Sequence, residues 1–191
     1  MKSHVAIVGF SPTKNEAPFD NPDWDIYTLN HRIDLVPRFD LWFNLHNLYN
    51  IKNEFPKFYN YFSKPENESK LVICGEDKPC FPNAIIYPKD EVLNKYCKFV
   101  MTENQGKIEK ETRLNFVTNS ISWMIAYAIE QGYTNIGLWG VDMAASSEYQ
   151  FQLPNLLFWM GVCAGKGIKL HIPEECKLIL IKQFYWNLSN G

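Results

Sequence analysis

Thr118-Asn-Ser-Ile-Ser-Trp-Met-Ile-Ala-Tyr-Ala-Ile-Glu-Gln-Gly-Tyr-Thr-Asn-Ile-Gly-Leu-Trp-Gly-Val-Asp142 reads as a helix, a turn, a strand and a second turn, and this stretch sets the fold class. Ile121, Met124, Ile125, Ala128 and Ile129 recur three and four residues apart, which predicts an amphipathic helix over 120–131. Thr118, Asn119 or Ser120 caps its start and Gly132 closes it. Asn135 to Trp139 is a short apolar run, hence a buried strand, and it empties into Gly140-Val-Asp142.

The same phrase occurs at the other end of the chain. Val5 to Val8 is a β-branched first strand closed by Gly9, and the turn reads Gly9-Phe-Ser11-Pro12-Thr13. Further strands are expected at Asp25 to Asn30, Leu41 to His46, Leu71 to Cys74, Ala84 to Tyr87 and Ile168 to Ile172. Aromatics at helical spacing between Phe55 and Phe62 predict a short helix, and Lys64 to Lys70 a polar turn. Pro154 suits the first turn of a helix running to about Ala164, and Lys177 to Trp186 fits a last amphipathic helix. Lys89 to Asn115 is charged and weakly periodic, so a helix followed by a mobile loop is expected there.

Strands alternating with helices pair in parallel through crossovers. The expectation is an α/β fold: one Rossmann-like domain over 1–191, its mostly parallel sheet flanked by helices.

Composition narrows the partners. The chain has 191 residues and a net charge of −2, which argues against bulk nucleic-acid binding, because that requires a basic surface to displace counterions. Its five cysteines are Cys74, Cys80, Cys97, Cys163 and Cys176, an odd number with no close pair, unlike a zinc ribbon or a disulfide scaffold. No leader and no apolar run long enough for a membrane span is read, so the expected location is cytoplasmic. His4, His31, His46 and His171 show no metal spacing. The first turn lacks GxGxxG, so no dinucleotide is expected, nor any other cofactor.

In an open α/β sheet, strand carboxyl ends build the ligand crevice. Gly9 to Thr13 offers backbone amides and hydroxyls to an anion, or serves as a plain strand-to-helix turn. Thr118, Asn119 and Ser120 form an N-cap whose donors and helix dipole also suit a phosphate. Asp142 stands where a carboxylate accepts ribose hydroxyls or acts as a base, or else caps the next turn. His46 ends a strand and points to the same crevice; His4 and His171 suit sheet edges. Arg38 beside Asp40 is an ion pair or a phosphate contact.

Together, Gly9-Phe-Ser11-Pro12-Thr13, Asn30 and the stretch Thr118 to Asp142 resemble bacterial sialyltransferases that build lipo-oligosaccharide, over about half the chain. Small phage-encoded proteins share the pattern. The resemblance implies that Gly9, Ser11, Pro12, Thr13, Asn30, Thr118, Asn119 and Ser120 hold a nucleotide. It implies that Tyr149 steadies the departing phosphate. The family's downstream catalytic histidine has no counterpart, because no histidine lies between Asp142 and His171, and the acceptor-binding insertion is missing.

Three readings follow. One is a small glycosyltransferase-like enzyme in which Asp142, Glu148 or His46 supplies the base and Tyr149 and the first-turn donors meet the phosphate. Another is a binding protein that sequesters a nucleotide or nucleotide-derived signal, as phage counter-defence proteins do. The third is an interaction module whose aromatic surplus serves a homo-oligomer interface.

Overall fold

The computed structural model describes residues 3–48, 50–75, 78–103, 108–113, 117–142, 147–176 and 178, with the backbone alone for 100–103, 108–113 and 147–151. Seven strands form one parallel sheet: β1 (His4–Val8), β2 (Trp24–Leu29), β3 (Leu41–Asn44), β4 (Leu71–Ile73), β5 (Ile85–Ile86), β8 (Asn135–Trp139) and β9 (Lys169–His171), in the order β5-β4-β3-β2-β1-β8-β9. Every pairing within it is parallel. The order runs outward in both directions from β1, so this is the doubly wound, Rossmann-like α/β arrangement, and its switch point lies between β1 and β8.

Both sheet faces are covered by helices, which explains the near-continuous apolar strands. Val5, Ile7, Tyr27, Leu29, Phe43 and Val72 point to the face carrying α5 (Ser120–Glu130) and α6 (Ser147–Gly165). Ala6, Val8, Ile26, Trp42, Leu71 and Ile73 point to the other, where Ile51 of α1 (Ile51–Glu54) and Phe58 and Phe62 of α2 (Pro56–Phe62) pack. A single helical turn, α3 (Pro65–Glu68), lies within the expected polar turn. Burying such aromatic side chains contributes about 1.5–3 kcal/mol each before chain entropy is counted.

The expected loop after α4 (Lys89–Tyr96) is instead an antiparallel hairpin, β6 (Lys98–Glu103) with β7 (Ile108–Arg113). Its sequence hid it: β7 reads Ile-Glu-Lys-Glu-Thr-Arg and carries no apolar alternation. A second correction concerns α6, which starts at Ser147 and holds Pro154 in its interior rather than its first turn. Leu156, Trp159 and Cys163 are fully buried there, and that packing offsets the missing proline donor. β3 stops at Asn44, short of His46. The tail helix expected over 177–186 lies almost wholly outside the described residues.

His4 opens the central strand β1 rather than a sheet edge, whereas His171 is on the edge strand β9. Their rings flank Trp24, with centroids 4.9 and 5.2 Å from it. Burial and the neighbouring His4 hold the His171 imidazole below its usual pKa. Gly137 is glycine because the Trp139 ring lies where its β-carbon would be. Among the described residues, no helix is long and apolar enough to cross a membrane.

Candidate functional site

The switch point is closed by backbone contact. Gly9 N–H donates to Trp139 O at 2.8 Å and Ser11 N–H to Gly140 O at 3.0 Å. Thr13, 5% exposed, accepts from Gly140 N–H through Oγ1 at 2.9 Å. Gly140 has φ +67, a left-handed conformation that suits glycine. Of the two readings of the first turn, these bonds fit the plain strand-to-helix turn rather than the anion contact. The amides of Gly9 and Ser11 hold the β8 loop, so they do not face an anion, and Thr13 is a buried brace. Ser11 caps the 3-10 turn Pro12–Glu16 without a side-chain bond, and Pro12 is exposed.

At the end of β2 the chain turns at Asn30, whose φ is 65. Its N–H donates to Phe43 O at 2.9 Å, and its carbonyl accepts from the Trp42 indole at 2.6 Å. Its side-chain Oδ1 stands 3.2 Å from His46 Nε2, so two residues singled out from sequence meet. His31 stacks on Phe55 with centroids 3.5 Å apart. Burial, then His46 and Arg32, push the His31 imidazole below its usual pKa.

Asn44 was missed. It ends β3 beside Asn30, is 2% exposed, and among the described residues its Oδ1 has no hydrogen-bond partner. The signal was a polar residue closing the apolar run Leu41-Trp-Phe-Asn44.

The helix α5 starts at this same carboxyl edge, because its other end leads through Gln131 to Thr134 into the start of β8. Near that far end, the Tyr133 hydroxyl donates to Asp25 Oδ2 at 2.6 Å, at the beginning of β2. Asn119 is the N-cap. Its Oδ1 accepts from Ser122 N–H at 2.8 Å, and its Nδ2 donates to Gln152 O of α6 at 3.3 Å. Both ends of the Asn119 side chain are therefore engaged in holding helices. Thr118 is exposed and Ser120 half-buried. Ser122 is fully buried in the first turn, and among the described residues its Oγ has no hydrogen-bond partner. Among the described residues, no hydrogen bond links 9–13 to 118–120; they share an edge of the sheet, not a bonded nest.

Asp142 follows β8 at the edge, half-buried, and among the described residues its enclosed Oδ1 has no hydrogen-bond partner. The Cys176 thiol beside it donates to Val141 O at 3.2 Å. Burial first, then the Asp142 carboxylate, pushes that thiol's pKa up. Glu148 and Tyr149 lie on the first turn of α6, the element that follows β8; their side chains lie outside the described residues.

Arg38 is elsewhere: of its two readings the structure has the ion pair with Asp40, not a phosphate contact at the crevice. It donates to Phe19 O at 2.9 Å, Asn21 O at 3.2 Å and Trp24 O at 2.7 Å, and pairs with Asp40 at 3.0 Å. Trp24 starts β2, so Arg38 braces the opposite, amino edge of the sheet. Among the described residues, no three His, Cys, Asp or Glu side chains gather as a metal site.

No protein-family model and no curated protein sequence matches this chain. Solved structures do. The sialyltransferase CstII from Campylobacter jejuni in complex with cytidine-5'-monophosphate has a TM-score of 0.59 at 20% identity, covering 94% of this chain and 83% of that one. The same enzyme with CMP-3FNeuAc has a TM-score of 0.57 at 19% identity, covering 96% and 84%. A third structure, CST-II with a trisaccharide acceptor and CMP, has a TM-score of 0.52 at 17% identity, covering 88% and 80%. This likeness is one of fold.

Proposed function

We propose that the chain binds a nucleotide or nucleotide-sugar along the carboxyl edge of its sheet and acts as a small glycosyltransferase-like enzyme. One observation carries the reading: among the described residues, Asn44 Oδ1, Ser122 Oγ and Asp142 Oδ1 are buried without a hydrogen-bond partner, and all three sit at this edge. A buried unmet polar atom costs about 1–3 kcal/mol, so such atoms call for an explanation, and a ligand supplying donors is one. From β3 to β8 the sheet spans about 14 Å, at roughly 4.8 Å per strand. That is room for an extended nucleotide-sugar.

The proposal assigns each residue a role. The α5 N-terminus and Ser122 attract phosphate. Asp142 accepts ribose hydroxyls. With Nε2–H donated to Asn30 Oδ1, His46 keeps a free Nδ1 lone pair to take the acceptor's proton. The acceptor oxygen then bonds to the sugar carbon as the carbon–oxygen bond to phosphate breaks. The proposal gives Tyr149 the role of donor to the departing phosphate and makes Glu148 the other candidate base.

The test is incubation with CMP- and UDP-sugars and simple glycan acceptors, read by mass spectrometry. CMP-sugars come first, because the solved structures similar in fold carry CMP. Transfer or donor hydrolysis that falls in His46→Ala is expected. A folded protein that neither binds nor turns over any donor overturns the reading.

A further inference from the structure

A recess of about 350 Å³ lies away from the crevice, lined by Ile33, Val36, Pro37, Arg38, Phe39, Tyr61 and Lys70. It sits on the face carrying α1 to α3, toward the amino edge: Lys70 immediately precedes β4, and Arg38 reaches back to the start of β2. Its walls divide by chemistry. Ile33, Val36, Pro37 and Phe39 form an apolar side, and Phe39 is held edge-on against Trp42, centroids 5.0 Å apart.

The polar side carries an excess of positive charge. Arg38 is already bonded to three carbonyls and to Asp40, so it is a rigid wall whose charge Asp40 offsets. Asp40 Oδ2 also accepts from Ile26 N–H at 2.8 Å. Asp34, next to Ile33, is paired with Arg32 at 3.2 Å. Lys70 remains: among the described residues its ammonium has no ion pair and the Tyr61 hydroxyl no hydrogen bond. No carboxylate lines the recess. A cation and a phenol donor beside an apolar wall select an anionic head on an apolar body.

We propose that this recess is a second ligand site, taking a small carboxylate or phosphate monoester on a flat apolar body, bound by Lys70 and Tyr61. The site is independent of the crevice and of the reaction proposed there.

Calorimetric titration of the whole chain with phenyl phosphate, phenylacetate and the neutral control 2-phenylethanol tests it. Binding of either anion, with little heat from the alcohol, is expected, and the tighter anion names the headgroup. Lys70→Met should weaken that anion at least tenfold and Tyr61→Phe severalfold, with CMP affinity unchanged in both. Lys70 meets Trp42 N–H through its backbone carbonyl, so the variant keeps its fold, and a thermal melt checks this. No binding by either anion, equal binding of the alcohol, indifference to Lys70→Met, or displacement of the anion by CMP each overturns the proposal.

Discussion

A β-carbon built on Gly140 would sit 2.7 Å from the carbonyl oxygen of Gly9, and one on Gly9 would strike Gly140 in return. The two loops at the switch point therefore meet backbone to backbone. Gly140→Ala adds the cost of a left-handed φ, about 1–3 kcal/mol, to that collision. Urea denaturation followed by circular dichroism should show a loss of at least this size; an unchanged midpoint would contradict the contact.

Gly137 and Trp139 make a paired prediction. Gly137→Ala forces the indole off the strand and should destabilise by about 1–3 kcal/mol, as overpacking does. In a Trp139→Leu background the same change should cost much less. Equal costs in both backgrounds would show that the ring is not what excludes the side chain.

Asn44→Leu should separate stability from binding. Replacing an unmet buried amide oxygen by a similar apolar group removes a desolvation cost, so the unliganded protein should gain about 1 kcal/mol. CMP affinity should fall at least tenfold. A variant that is less stable and binds CMP normally would remove Asn44 from the site.

Asn119→Ala deletes the α5 cap and the bond to Gln152, and should cost about 1–2 kcal/mol. Asn119→Asp keeps the capping oxygen and should recover most of the loss. Equal damage from both would shift the weight to the α6 bond.

His31 gives a pH prediction. Its folded-state pKa is lowered from 6.5 by burial first, then by His46 and Arg32. The unfolded chain therefore takes the proton first. This contribution to stability is complete above 6.5 and is lost as pH falls from there toward the folded value. Denaturation between about pH 7.5 and about pH 5.5 should show a shallower slope in His31→Gln than in the parent.

Local signals were legible in the sequence and long-range ones were not. The 3.6-residue period of Ile121, Met124, Ile125 and Ala128 and the apolar run Val5 to Val8 announced α5 and β1. The glycines at 9 and 140 marked the strand ends, but the first-turn amides were offered to an anion, whereas Gly9 N–H bonds to Trp139 and Ser11 N–H to Gly140. That partner choice depends on two loops far apart in the chain. For Arg38 the pairing with Asp40 was legible from their spacing, but its carbonyl partners Phe19, Asn21 and Trp24 carry no sequence mark. Asn44 escaped because one polar residue after Leu-Trp-Phe resembles an ordinary strand end. The hairpin escaped because charged side chains on β7 mask the two-residue period.

The sheet tapers to two residues at β5 and three at β9. Borders that short present few open amides and carbonyls, too few to template a neighbouring molecule's backbone. Self-association through the borders of this seven-stranded sheet is thereby disfavoured, and the longer open strands are those of the β6–β7 hairpin.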